Sequence, residues 1–222
     1  MLSLLRDPPF EPLSSANLLD LTMKTLFLVS LATARRIGEL QAISHRVSKA
    51  GKDLVLTYIP RFVAKTESDR NPLKCFFPRR ALDDFVGNMR EETVLCPVRA
   101  VRYYIRATAG VDPRPDTLFV SPKNPSRPLS KNALSALLRK VIATAMGTDA
   151  SHKPHSIRSV ATSACFLRNW SVTKVLEAAT WKSNSVFASF YLKDVAFTLD
   201  NCQSLGPFVA AGDLVRPSSA NW

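Results

Sequence analysis

An arginine at position 36, a lysine at 65, a histidine and an arginine at 155 and 158, and a tyrosine at 191 follow one another along this chain of 222 residues. These are the side-chain types that metal-free transfer of a phosphoryl group to a tyrosine requires. A pair of guanidiniums can chelate the non-bridging oxygens of a phosphodiester and neutralise the charge that builds on pentacoordinate phosphorus. A tyrosine hydroxyl can attack that phosphorus and hold the energy of the diester in a covalent bond. Spacing adds to type: His155 and Arg158 stand three apart directly after Pro154, where a helix is expected to begin, so they share one face. Arg36 and Glu39 are also three apart. All but Arg158 have a rival of the same type: Arg35 for Arg36, Lys74 for Lys65, His152 for His155, and Tyr58, Tyr103 or Tyr104 for Tyr191.

The elements that must position these groups are readable in outline. A proline-containing lead-in covers 8–15, and Ser14 or Ser15 is expected to cap a helix whose apolar positions run over 18–31 and which looks buried nearly all round. Ile37, Leu40 and Ile43 recur at three-residue spacing, so a short helix over 36–43 should carry Arg36. Gly51 breaks the chain, and the alternation of Leu54, Leu56 and Tyr58 predicts a strand, followed by a turn-rich region over 65–72 and a second strand over 73–77. Lys65 then sits at the rim of a small sheet. Pro97 opens a helix over 98–108, which the proline-rich loop 112–115 ends. A short strand is expected over 117–120 and a loop over 122–128. Leu134, Leu137, Leu138, Val141 and Ile142 form one face of a helix starting after Ser130 and ending at Gly147. Three shorter helices fit 155–168, 171–179 and 185–195, and 206–222 reads as a tail rich in glycine, proline and serine.

Composition narrows the partners. The 30 Lys and Arg residues against 18 Asp and Glu leave a net charge of +12, which concentrates polyanions such as nucleic acid around the surface. Arg61, Arg70, Lys123, Arg127, Lys131, Arg139 and Lys153 are the candidate phosphate contacts, and such contacts make binding strongly salt-dependent. No apolar run reaches the roughly 18 residues of a membrane span, because Lys24 interrupts 18–31 and Arg35 closes it. Five residues before Arg6 are too few for a signal peptide. Cys75, Cys96, Cys165 and Cys202 form no Cys-x-x-Cys pair, and no Asp/Glu/His cluster suggests a metal. Reduced intracellular thiols, no metal and no cofactor are the expectation, with the protein in the nucleus of a eukaryotic host and otherwise in the cytoplasm.

Three ordered boxes, "ATARRIGELQAIS", "KPHSIRS" and "ATWKSNSVFASFYLKDV", together resemble the catalytic domain of tyrosine recombinases, most closely in look those of DIRS-like retrotransposons. The resemblance runs over 9–195. It implies an α+β fold, mainly helical with a small antiparallel β-sheet near the catalytic lysine. By position it makes Arg36 the first catalytic arginine, Lys65 the acid that protonates the leaving 5′ oxygen, Arg158 the other member of the phosphate-holding arginine pair, and His155 the imidazole that bridges the scissile phosphate or helps to exchange the tyrosine proton. Trp181 takes the place of an indole N–H donor to phosphate, and Tyr191 that of the nucleophile, ten residues after Trp181 where many members have nine. The implied activity is site-specific cleavage and rejoining of double-stranded DNA through a 3′-phosphotyrosyl intermediate, serving integration or excision of a mobile element. Such enzymes work as assemblies, commonly tetramers on DNA, so further copies of the chain are expected partners. The stretch 196–222 is either exchanged between protomers or a free tail. The helical clamp domain that usually precedes the catalytic domain is not expected, since Arg36 comes too early for one. Two other activities share these residues: a catalytically silent DNA-binding module, and a type IB topoisomerase.

Overall fold

A computed structural model of the protein describes residues 3–50, 53–64, 75–76 and 93–146, with residues 157, 161, 162, 171, 173 and 175. The chain divides into two units, Met1–Pro154 and His155–Trp222. Within the first, helix α1 (Leu18–Thr33) is buried on almost every side from Asp20 to Ser30, as its all-round apolar sequence requires. Its cap is Asn17, whose side chain accepts from the Asp20 N–H at 2.9 Å. Ser14 and Ser15 do not serve, because Ser15 turns both its N–H and its hydroxyl to the Pro12 carbonyl.

α1 ends at Ala34 in the left-handed conformation, φ 48°, with its N–H on the Ser30 carbonyl. The chain then re-enters helix as α2 (Ile37–Gln41), shorter than the spacing of Ile37, Leu40 and Ile43 suggests. Ile43 instead pairs in a bridge with Tyr58. Strands β1 (Ser48–Ala50) and β2 (Asp53–Thr57) are antiparallel, with Ser48 opposite Val55, and β3 (Cys75–Phe76) lies on the other side of β2, with Leu56 opposite Phe76. β1 is an addition to the sheet expected from sequence; Leu54 and Leu56 turn inward as their alternation requires.

Helix α3 (Pro97–Ala107) starts on Pro97 and buries Val98, Ala100, Val101 and Tyr104 against α1. Helix α4 (Lys131–Met146) buries Leu134, Leu138, Val141 and Ile142 and packs on both α1 and α2. Between them, 117–120 is no strand. Thr117 and Val120 each make one isolated bridge, to Ser44 and Pro128, while Leu118 donates to the Ile43 carbonyl at 2.7 Å and Phe119 accepts from Leu129 at 3.0 Å. Its apolar side chains are buried, so the run is core without a ladder. The class is therefore α+β, mainly helical with one small antiparallel sheet, as expected.

In the second unit Ile157, Ala161, Thr162, Thr173 and Val175 are helical, and Ser171 accepts the Val175 N–H at 3.0 Å. Ile157, Ala161 and Val175 are buried. The rest of the three helices expected over 155–195, the helix end at Gly147, the turn over 65–72 and the tail lie outside the described residues. No helix among the described residues is long and apolar enough to cross a membrane.

Candidate functional site

Arg36 is the residue at which α2 begins. It has extended backbone, φ −70° and ψ 154°, so its side chain leaves the chain just before the helix rather than from its middle. What holds it is Glu39, a carboxylate only 2% exposed. One carboxylate oxygen of Glu39 accepts the Arg36 backbone N–H at 3.3 Å, and the other accepts from the Arg36 guanidinium at 3.2 Å. Arg35 Nη1 comes within 3.8 Å of the same carboxylate. Two arginines thus converge on one buried anion, and a buried carboxylate needs such partners. They differ in exposure: the Arg35 side chain is 8% exposed and that of Arg36 is 30%. Arg36 is the one turned outward.

A second cation stands over the same turn. A Cβ built on Gly38 would lie 3.6 Å from Lys131 Cε and 3.8 Å from its Nζ, so the lysine at the start of α4 extends across the bare backbone of α2. Gln41 donates to the Leu129 carbonyl at 3.2 Å, which ties α2 to the segment leading into α4. Lys131 is exposed. Among the other proposed phosphate contacts Arg61, Lys123, Arg127 and Arg139 are exposed as well, Arg61 with φ 64°.

Of the six predicted site residues, Arg36 is the one within the described residues. Lys65, His155, Arg158, Trp181 and Tyr191 lie outside them, as do Lys74, His152, Arg70 and Lys153. Lys65 follows directly on buried Ala64. One rival to Tyr191 has a clear structural role. Tyr104 is fully buried, its hydroxyl accepts the Val120 N–H at 3.1 Å and faces the Val120 carbonyl at 3.5 Å, and burial pushes its phenol above the ordinary range against weaker opposing bonds. Such a phenol is a core strut. Tyr58 packs its ring on Phe62 with centroids 4.9 Å apart. Among the described residues no group of three His, Cys, Asp or Glu side chains could hold a metal.

Sequence reasoning missed a second charged cluster. Lys24, which interrupts the apolar run of α1, is fully buried and donates to Glu11 Oε1 at 2.5 Å and to the Leu5 carbonyl at 2.7 Å. Arg99 of α3 grips the same Glu11 with two bonds, 2.6 and 3.1 Å. A lysine in the middle of an otherwise apolar helix is the signal that an acid must come to meet it.

No family model matches the chain, and no curated protein matches it in sequence. Among solved structures, a lambda integrase dimer bound to a COC′ core site is similar over 86% of this chain and 47% of that one, at 15% identity and a TM-score of 0.48. The chain spans about half the length of that protein. A likeness of this size leaves function to be read from the chain's own residues.

Proposed function

We propose that this chain is the catalytic domain of a tyrosine recombinase that cuts and rejoins double-stranded DNA for a mobile element, of the kind found in DIRS-like retrotransposons. The observation that carries the reading is the order and internal spacing of the three boxes that hold Arg36, His155 with Arg158, and Trp181 with Tyr191. The setting of Arg36 supports it: a half-exposed guanidinium anchored by a buried carboxylate is a donor fixed in place before substrate arrives, which is the condition for stabilising a transition-state charge.

In this mechanism Arg36 and Arg158 hold the two non-bridging oxygens of the scissile phosphate. The Tyr191 oxygen attacks phosphorus as its proton passes toward His155, and a phosphotyrosyl bond forms to the 3′ side. The bond from phosphorus to the 5′ oxygen breaks, and Lys65 gives that oxygen its proton. Trp181 donates its indole N–H to a phosphate oxygen. Attack of a free 5′ hydroxyl on the phosphotyrosine reverses the steps and reseals a strand, so no external energy source is required. Several copies acting on one DNA complete the proposal.

Nicked suicide duplexes test it, because loss of the short 5′ fragment prevents resealing and leaves protein covalently attached. Wild-type chain should accumulate an adduct that Tyr191→Phe does not form, and peptide mapping should place it on Tyr191. Equal trapping by both proteins would remove Tyr191 from the role. A wild type that binds the same duplex and never traps would point to a silent binding module. Relaxation of supercoiled plasmid without pairing of two sites would point to a topoisomerase.

A further inference from the structure

Glu39 sets a negative charge directly behind the guanidinium that is to hold a phosphate. The carboxylate is 2% exposed, and away from bulk water one anion repels another strongly. Paired with Arg36 by itself, it would form a neutral couple, and an arriving phosphodiester would meet a cation already spent on an internal partner. Arg35 changes the count. Its Nη1 lies 3.8 Å from Glu39 Oε2, while Arg36 Nη1 lies 3.2 Å from Oε1. The two guanidiniums address different oxygens, so both can attend the carboxylate at once, and two cations with one anion leave one positive charge over. That surplus is expressed at one of the pair. The Arg35 side chain is 8% exposed and that of Arg36 is 30%, so Arg35 is shut in with the carboxylate while Arg36 meets solvent. Oε2 also accepts the Arg36 backbone N–H at 3.3 Å, which keeps the backbone of Arg36 in place even as its side chain turns to a ligand.

From this division of labour we propose that Arg35 is a positioning residue for strand cleavage: it neutralises the buried Glu39 carboxylate, so that the charge of Arg36 remains available to the scissile phosphate. The inference rests on the reading of the chain as a tyrosine recombinase and adds to it a role for the arginine beside the catalytic one. Arg35 touches neither DNA nor a reacting atom in this scheme. It acts through Glu39, and what it supplies is charge. A single contact of 3.8 Å is no two-bond fork, so an ammonium can stand in for the guanidinium.

Two measurements on the whole chain test this: the maximal rate of covalent trapping on a nicked suicide duplex, taken per bound protein, and the slope of log affinity against log salt for duplex binding. Arg35→Gln should lower the trapping rate by roughly tenfold, less than the hundredfold or more that loss of a direct donor costs. Its duplex-binding slope should stay that of wild type, since a residue that grips no phosphate releases no counter-ions. Arg35→Lys should recover most of the rate. In a Glu39→Gln background, where the anion is gone, Arg35→Gln should cost little further, a non-additivity that marks residues acting through one another. This double variant strands no charge in the interior, so the comparison with Glu39→Gln stands even if Arg35→Gln alone unfolds. Wild-type trapping by Arg35→Gln overturns the positioning role and leaves the recombinase reading in place. The same fold-loss with and without the Glu39 charge overturns it too, because Arg35 then acts on the fold and not through the carboxylate. A slope flattened by about one contact in Arg35→Gln would make Arg35 itself a phosphate ligand and overturn it as well. A wild type that binds the duplex and never traps overturns the positioning role and the proposed function together.

Discussion

Glu39 is the residue on which the setting of Arg36 depends. It accepts the Arg36 N–H, pairs with the Arg36 guanidinium and lies within reach of Arg35, all while 2% exposed. Removing Glu39 takes away the acceptor of the Arg36 N–H and of its guanidinium, at a cost of about 1–3 kcal/mol. Glu39→Ala should accordingly lower unfolding free energy by about that amount in urea titration, whereas Glu39→Gln, which keeps an acceptor for the Arg36 N–H, should lose less and still weaken DNA binding. Equal stability of Glu39→Ala and wild type would show that the carboxylate is not the anchor. At this scale the sequence was partly transparent. The three-residue step from Arg36 to Glu39 announces a shared turn. That Arg35 also bends toward Glu39 depends on the path by which the chain leaves α1, and local spacing carries no information on that path. The same holds for the place of Lys131, one of seven candidate phosphate contacts in the sequence until the fold lays it over Gly38.

That path is a matter of elements. α1 stops because Ala34 takes φ 48° and closes the last turn onto Ser30, and this reversal delivers Arg35 and Arg36 to the start of α2. A residue with a Cβ pays about 1 kcal/mol or more for the left-handed region, where helices commonly end on glycine. Ala34→Gly relieves that strain and gives back part of the gain through a freer unfolded chain. The net expectation is a stabilisation of about 0.5 kcal/mol, read as a raised thermal midpoint with the duplex-binding slope unchanged. A lowered midpoint would mean that the Ala34 methyl, 8% exposed, matters more as packing than its backbone does as strain. Helices α1, α3 and α4 were legible because periodic apolar residues, Pro97 and Ser130 mark them directly. The run over 117–120 was misleading for a physical reason. Apolar side chains report burial, and whether a buried segment also forms a ladder depends on which backbone groups come opposite it; here they belong to Ile43 and Leu129 rather than to a strand.

At the scale of the whole chain, a net charge of +12 makes acid the hazard, and the cluster at Glu11 is where it should strike first within the first unit. Glu11 ties the segment before α1 to both α1 and α3 through Lys24 and Arg99. Burial pushes its carboxyl up, yet the bonds from Arg99 and Lys24 together outweigh that and hold it below the ordinary glutamate range. Lys24 goes the other way: burial pulls its ammonium below the ordinary lysine range, and the Glu11 it shares with Arg99 makes up only part of the difference. The two directions are compatible, because the carboxylate answers to two cations and the lysine to one carboxylate. With its folded value depressed, Glu11 contributes stability that is fully present above its unfolded value of about 4.3 and is lost as pH falls through the folded value. Protonation then leaves Lys24, which is fully buried, without its counter-charge, and self-repulsion of the remaining cations adds to the loss. Glu11→Gln should therefore be less stable than wild type at neutral pH and should lose less on further acidification, so that the two stability curves draw together as pH falls below the unfolded value and through the depressed folded one. Urea unfolding at a series of pH values measures this. Parallel curves with a constant offset would mean that Glu11 acts through its shape and hydrogen bonds alone and that its charge does not hold the N-terminal segment in place.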